Sequence, residues 1–150
     1  MYWKEIPVQV QTEENGDTVS VPLDDRFQQA VDSISMMEGS FGTDDYLDGW
    51  QWGEYCEIAI PASDLSVLVA DLYNKCMPQD FVRRIRDAHK NGSRNSNPKG
   101  IDKWLSESNQ YSYLLSIVFT FLSGKAIEPY IIIEIVIPIL NKPICSGVMD

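Results

Sequence analysis

The character of the sequence changes near Asn109, and this change limits what the chain can fold into. Residues 1–109 mix charged and apolar side chains in short periodic patterns, whereas residues 111–140 are almost wholly apolar and contain only three charged side chains. A helix that spans a membrane needs about twenty consecutive, mostly apolar residues. We therefore expect an α+β domain at residues 1–109 and, at residues 110–150, an apolar C-terminal extension.

Length and composition are those of one folded domain. The chain has 150 residues, of which 44% are hydrophobic and 23% are charged, and such a chain can fold without a disulfide or a metal. Its first residues lack the basic and apolar stretches of a secretory signal, so we expect a cytoplasmic protein. Cys56, Cys76 and Cys145 are too widely spaced for a zinc or thiol-exchange motif. We interpret them as reduced packing residues and expect no cofactor.

The charge is distributed unevenly along the chain. The formal net charge is −10, yet residues 1–74 hold fifteen acidic and two basic side chains, while residues 75–104 hold eight basic and three acidic ones. The acidic half should repel nucleic acid and anionic lipid. The basic stretch at residues 75–103 offers an alternative surface for weak nucleic-acid binding, which contains Arg83, Arg84, Arg86, Lys90 and Arg94. Because the whole chain is acidic, a solvated and internally balanced basic face is favoured.

Periodic patterns predict the elements of the domain. Alternating apolar residues on both sides of Asn15-Gly16 predict a β-hairpin at residues 4–23. A helix is expected to start with Asp25 as its N-cap, to end near Gly39 and to pack its apolar face on the hairpin. Two further helices are expected at residues 63–76 and 78–90, the first with an apolar stripe of Leu65, Leu68, Val69, Leu72 and Cys76. The predicted fold class is α+β: a small antiparallel or mixed sheet, made of the N-terminal hairpin plus a strand at residues 50–60, with helices packed on one face.

One acidic and aromatic segment is the candidate interaction surface. It contains Asp44, Asp45, Tyr46, Asp48, Trp50 and Trp52. Large aromatic side chains beside a polar turn are typical of partner-binding surfaces, although such rings more often supply core area. Asp44 and Asp48 are spaced like the start of a calcium-binding loop. However, Tyr46 and Tyr55 occupy two positions that need oxygen ligands in that loop, so no metal is predicted.

Several short stretches follow a shared pattern of structural residues. They are Trp3, Pro7-Val8-Gln9-Val10, Pro22-Leu23, Arg26-Phe27-Gln28-Gln29-Ala30, Gly42-Thr43-Asp44-Asp45-Tyr46-Leu47 and Trp50-Gln51-Trp52. With these stretches, residues 2–109 resemble the bacterial conserved virulence factor domain, a small module found alone or fused to HEAT-like repeat or Nfu-like scaffold proteins. The resemblance implies a cytosolic bacterial accessory or regulatory domain, and it carries no catalytic or binding residues to this chain.

The apolar extension allows three interpretations. Residues 111–122 can form a buried helix, and the isoleucine-rich residues 130–137 then favour a strand that completes the core. A membrane anchor or hairpin within residues 111–140 is the second interpretation, and it would make the protein membrane-associated. An apolar oligomerisation surface or a foreign extension is the third.

The sequence predicts an interaction module rather than an enzyme. His89 is the only histidine, and no nucleophile elbow, phosphate loop or triad spacing accompanies it. The expected function is therefore a non-enzymatic protein-interaction or regulatory accessory module of a bacterial cytosol, with a protein partner or self-association. An enzyme whose catalytic residues are scattered along the chain is the other possibility from a different class.

Overall fold

The computed structural model describes residues 1–55, 61–112 and 116. The predicted strand at residues 56–60 and the whole apolar run beyond Ser116 lie outside the described residues. The strands are β1 (Tyr2–Trp3), β2 (Ile6–Pro7), β3 (Gln9–Glu14), β4 (Asp17–Pro22) and β5 (Trp50–Gln51). The helices are α1 (Asp25–Glu38), α2 (Asp44–Asp48), α3 (Ala62–Cys76), α4 (Phe81–Lys90) and a 3-10 helix at Asp102–Glu107.

The strands form two antiparallel sheets, which confirms the predicted α+β class. The three-stranded sheet has the order β2-β1-β5, with Tyr2 opposite both Pro7 and Gln51, and β3 and β4 form a separate two-stranded sheet. The strand at residue 50 therefore pairs with β1 and not with the hairpin. The reason is local: Lys4 adopts a positive φ of 51° and reverses the chain, so that β1 lies between β2 and β5.

The predicted hairpin forms around its predicted turn. Asn15 and Gly16 have φ values of 54° and 88°, as a type I′ turn requires. Glu14 faces Asp17 directly across this turn, and the pairing continues to Gln9 opposite Pro22. The turn chemistry thus sets the register of β3 against β4.

The helix that packs on the hairpin is α3, whereas the sequence predicted α1. α3 contacts both β3 and β4, while α1 packs against α4 and β2. The residues that α3 buries between positions 62 and 70 are all small, namely Ala62, Ser66 and Ala70, and small side chains permit a close approach to the hairpin. The predicted apolar stripe is only partly buried: Leu72 and Cys76 are in the core, but Leu65, Leu68 and Val69 remain partly exposed.

Helix α1 contributes the predicted apolar face to the core. Phe27, Ala30, Val31 and Ile34 are buried, and Gly39 ends the helix in the left-handed conformation. The residue at the N-cap position is Asp24 and not Asp25, and its side chain makes no capping hydrogen bond. Near the start of α1, Arg26 donates through Nη2 to the carbonyl oxygens of Asn74 at 2.8 Å and Met77 at 3.1 Å. Arg26 thereby satisfies carbonyl groups at the C-terminal end of α3.

Trp3 is the central side chain of the three-stranded sheet. It is fully buried, and its Nε1 donates to the carbonyl oxygen of Tyr46 at 2.9 Å. Gly49 lies directly against the indole: a Cβ atom placed on Gly49 would be 2.5 Å from Trp3 Nε1. Only glycine therefore fits at position 49, where the chain leaves α2.

We predict that Gly49→Ala lowers the free energy of unfolding by about 1–3 kcal/mol, because the added methyl overpacks a rigid buried ring. The same substitution should cost less in a Trp3→Phe background, since phenylalanine lacks the indole atoms nearest to Gly49. Chemical denaturation of the four chains of this double-mutant cycle measures both costs. An equal cost in the two backgrounds would contradict the overpacking.

Candidate functional site

Helix α2 presents acidic side chains to solvent. The helix buries none of its five residues, and Asp44, Asp45 and Asp48 are all exposed. Two of these carboxylates lie in the first turn, where they complement the helix dipole. No ion pair joins any of the three to another residue in the described part of the chain. Their charge is thus exposed to solvent and is not neutralised by a cation among the described residues.

Two aromatic residues of the predicted surface support α2 instead of being displayed. The Tyr46 ring lies 5.8 Å from the Trp3 ring and 6.2 Å from the Trp50 ring, measured between centroids. Both Tyr46 and Trp50 are half-buried. Trp52, by contrast, exposes 47% of its surface and borders a groove beside the hairpin. The structure therefore divides the predicted set into exposed carboxylates, two packed rings and one separate exposed ring.

Two exposed apolar side chains complete this region, and sequence reasoning missed both. Leu47 exposes 65% of its surface and Phe41 exposes 53%. The Phe41 ring contacts the Tyr46 ring edge-on, with centroids 5.9 Å apart. The sequence does contain a signal for the exposure of each side chain. Leu47 is the only aliphatic residue of a five-residue helix, and Phe41 lies in the short segment between Gly39 and Gly42, outside any periodic apolar stripe. We define the α2 surface as Phe41, Asp44, Asp45, Leu47 and Asp48.

The predicted basic residues do not form one free surface. Arg83 and Arg84 both pair with Asp80, at 2.5 and 2.9 Å, and Arg84 also pairs with Glu107 at 2.6 Å. Arg86 donates to the Ser33 hydroxyl, and Lys90 lies exposed at the end of α4. Most of these guanidinium groups therefore already have partners within the protein.

The side chain of Arg94 is largely buried and holds two distant segments together. Its Nε and Nη2 donate to the two carboxylate oxygens of Glu5, at 2.6 and 3.1 Å, and its Nη1 donates to Glu38. The Glu5 side chain is completely buried, and the Arg94 side chain is 9% exposed. Lys4 completes the network with a 2.5 Å bond to Glu38. A bidentate pair of this kind fixes the loop that carries Arg94 onto the turn between β1 and β2.

The pKa shifts of the network follow from these contacts. Burial alone would raise the pKa of Glu38, but the hydrogen bonds and charges of Lys4 and Arg94 outweigh burial and lower it below its ordinary value. Burial would lower the pKa of Arg94, and the bonds to Glu5 and Glu38 instead raise it. These shifts favour the ionised form of Glu38 and the charged form of Arg94.

A second polar cluster joins β1, α3 and the 3-10 helix. The hydroxyl groups of Tyr2 and Tyr73 are 2.8 Å apart, and both donate to Asp102 Oδ2, at 3.3 and 2.8 Å. Burial and the nearby carboxylate raise the pKa of both tyrosines. Burial also raises the pKa of Asp102, although the two tyrosine hydrogen bonds act in the opposite direction. Asp102 Oδ1 is buried without a hydrogen-bond partner among the described residues.

These shifts favour a structural role for the tyrosine cluster. A general base or nucleophile needs a pKa near the working pH, and the pKa values of Tyr2 and Tyr73 move away from neutrality. Both hydroxyl groups thus remain protonated donors to one buried carboxylate. Elsewhere in residues 1–55 and 61–112, no three acidic, histidine or cysteine side chains are grouped so that they could hold a metal ion. No helix of this part is long and apolar enough to cross a membrane.

The described residues thus form a small α+β domain that contains two polar clusters and, separately, an exposed acidic and apolar surface on α2. Residues 1–72 match the model of a protein family described as Virulence factor, which confirms the resemblance for this part of the chain. All the stretches on which the resemblance was based lie within these residues. No curated protein and no solved structure matches the chain.

We predict that Arg94→Leu lowers the free energy of unfolding by about 3–5 kcal/mol, because it leaves the buried Glu5 carboxylate without its partner. The matched control is Arg83→Leu, which removes the same side chain from a pair in which the arginine is 73% exposed. Exposed pairs contribute about 0–1 kcal/mol, so the control should change little. Urea denaturation at neutral pH measures both. Equal losses of unfolding free energy in the two variants would show that the pairs of Arg94 stabilise the fold no more than the exposed pair of Arg83.

We also predict that Glu38 makes stability depend on pH. Because folding lowers the pKa of Glu38 below 4.5, the unfolded state binds its proton more readily, and the stabilisation is lost as the pH falls through the acid range. Glu38→Gln should therefore lower the free energy of unfolding at pH 7 and have a smaller effect near pH 3. Denaturation curves at the two pH values measure the difference. If Glu38→Gln lowered the free energy of unfolding equally at both pH values, the ionised pairing of Glu38 with Lys4 and Arg94 would be contradicted.

Proposed function

We propose that this protein is a non-enzymatic interaction module of the bacterial cytosol, which binds a protein partner through the α2 surface. The observation that carries the proposal is the exposure of Phe41 and Leu47, at 53% and 65%, beside three exposed carboxylates. Large exposed apolar side chains rimmed by charge are typical of interaction sites, since their exposure does not stabilise the isolated domain. The match of residues 1–72 to a virulence factor domain supports an accessory role of this kind.

The α2 surface is held in place before any partner arrives. The Trp3 indole donates to the Tyr46 carbonyl oxygen, and the backbone N–H of Lys4 donates to the Gly49 carbonyl oxygen at 2.7 Å. These bonds attach the middle of the short helix and the residue that follows its C-terminal end to the buried sheet. A partner therefore loses little binding free energy to the ordering of this segment.

Charge defines the class of partner. Asp44, Asp45 and Asp48 make no ion pair among the described residues, and they lie in a half of the chain with fifteen acidic and two basic side chains. The complementary partner is a protein surface with lysine or arginine around an apolar pocket that receives Leu47 or Phe41. Association of such surfaces should be fast at low ionic strength and slower at high ionic strength.

The pairing of the basic residues supports a protein partner over nucleic acid. Phosphate binding needs several cations that are free to neutralise a backbone. Arg84 is already paired with two carboxylates and Arg94 is buried against two others. Binding of nucleic acid would have to break these pairs or rely on the few remaining cations.

We predict that a photo-crosslinking amino acid in place of Leu47 forms a discrete adduct with one protein in the cells that express this chain. The same residue in place of the exposed Thr18 on the hairpin should form no such adduct. The double substitution Asp44→Lys with Asp45→Lys should lower the yield of the adduct at least tenfold, because it reverses the charge that the partner recognises.

The control for charge is Asp17→Lys with Asp87→Lys, which changes the net charge by the same amount at exposed positions outside the α2 surface. This pair should leave the adduct intact. Adducts of equal yield at positions 47 and 18, or equal losses for the two lysine pairs, would reject the α2 surface as the binding site. Mass spectrometry of the adduct identifies the partner.

A further inference from the structure

The dipeptide Asn-Gly occurs twice in the sequence, at residues 15–16 and at residues 91–92. Asparagine is among the thermolabile residues, because the backbone nitrogen of the following residue can attack the asparagine side-chain amide within the same chain. Glycine in the following position hinders this attack least, since it has no Cβ atom and the widest range of backbone conformations. Both dipeptides are therefore chemically competent, and the fold decides how readily each one reacts.

Asn15 and Gly16 lie at the tip of the hairpin. Residues 13–18 are all exposed, and neither the Asn15 side chain nor the Gly16 N–H has a hydrogen-bond partner among the described residues. The bond that links the tip to α3, from the Ala62 N–H to Glu14 Oε2, is long at 3.3 Å. A two-stranded hairpin is only marginally stable by itself. The tip can therefore open without exposing a buried residue.

Asn91 and Gly92 are held on both sides. The N–H groups of residues 91, 92 and 93 donate to carbonyl oxygens in the last turn of α4 at 2.9–3.3 Å. Asn91 Oδ1 also accepts from the Ser93 N–H at 3.0 Å. The next residue is Arg94, whose largely buried side chain is bound to Glu5 and Glu38. Opening of this segment must therefore break the end of a helix and pull against the ionic network.

The free energy of local opening should decide which asparagine reacts. Ring closure requires the backbone to rotate until the glycine nitrogen reaches the side-chain carbonyl carbon, and segments without buried contacts open most easily. Charge acts in the opposite direction, because the carboxylates of Glu14 and Asp17 disfavour loss of the Gly16 amide proton. Both residues are exposed, however, and salt screens exposed charges. The hairpin tip is therefore the favoured site.

We propose that Asn15 is a site of spontaneous deamidation in the folded protein, and that the end of α4 and the bound Arg94 protect Asn91. The Gly16 nitrogen gives up its proton and attacks Asn15 Cγ, the Cγ–Nδ2 bond breaks, and ammonia leaves a five-membered succinimide. Water then opens the ring at one of its two carbonyl groups and yields aspartate or isoaspartate. The net reaction converts an amide and water into a carboxylate and ammonium, without a cofactor or a redox step. This inference does not depend on the α2 surface.

Isoaspartate changes the hairpin where its register is set. It leads the main chain through the former side chain, so that a two-residue turn gains a methylene group, and it adds a negative charge between Glu14 and Asp17. The two cross-strand pairs nearest the turn should therefore be lost. The damage should stop at Thr12, which is buried and donates through its hydroxyl to the Ala62 carbonyl oxygen at 2.7 Å.

Timed incubation of the full chain at pH 8, followed by mass mapping of both Asn-Gly peptides, tests the proposal. In the folded chain, Asn15 should convert at least tenfold faster than Asn91. In concentrated urea, the two rates should lie within threefold of each other, because glycine follows both residues and no structure holds either. The rates in urea also measure the effect of the flanking charges. Arg94→Lys keeps the charge but loses the bidentate contact, so it should speed conversion at Asn91 and leave Asn15 unchanged.

The variant Asn15→Asp separates the effect of charge from that of the added methylene. It carries the same negative charge on a normal main chain, so NMR should show the contacts between Glu14 and Asp17 intact. The purified isoaspartate form should lose these contacts and keep those of Thr12.

Three results would overturn the proposal. The first is conversion of Asn91 as fast as that of Asn15 in the folded chain. The second is an Asn15 that stays unconverted in the folded chain over the time in which the urea-unfolded chain converts completely. The third is an unchanged rate at Asn91 in a folded Arg94→Lys chain, which would reject the protective role of Arg94. If circular dichroism shows that Arg94→Lys unfolds, Glu38→Gln weakens the same network more mildly and gives the same comparison.

Discussion

The burial of Trp3 is the constraint on which the N-terminal half of the structure depends. Trp3 belongs to the central strand of the three-stranded sheet; its indole is fully buried, bonds the Tyr46 carbonyl oxygen, and leaves no room for a side chain at Gly49. One core residue thus contacts both the middle of α2 and the residue at which the chain leaves it. The exposed surface of α2 is a consequence of this buried ring, since the helix itself has too few residues to be stable alone.

The ionic network extends this arrangement beyond residue 72, where the family match ends. Glu5 and Glu38 lie in the matched part, while Arg94 comes from a loop outside it. Gly100 from the same loop leaves no room for a side chain because of the neighbouring backbone and the Glu5 Cβ atom. These contacts attach a polar, glycine-containing and asparagine-containing loop firmly to the turn between β1 and β2. Residues 91–100 therefore behave as part of the same folded unit as the matched segment.

The sequence predicted those features that depend on local chemistry. Asn15-Gly16 specified its turn and register, and the spacing of Phe27 to Ile34 specified the buried face of α1. Features that depend on partners far away along the chain could not be predicted from the sequence. Arg83 and Arg94 look alike in the sequence, yet one is exposed and the other buried, because the partners of Arg94 lie 89 and 56 residues away. Likewise, α3 and not α1 packs on the hairpin, and the apolar stripes of the two helices in the sequence did not distinguish them.

The arrangement of charge explains how an apolar patch can remain exposed. The chain pairs Lys4 and Arg94 with Glu5 and Glu38, whereas the carboxylates of α2 form no ion pair among the described residues. Like charges around Leu47 and Phe41 repel a second copy of the same surface, so self-association through this patch is disfavoured. In the proposed complex, the same charges would attract a basic surface, and the apolar contact would add affinity. On that proposal, one distribution of charge would both disfavour self-association through the patch and select the kind of partner that covers it.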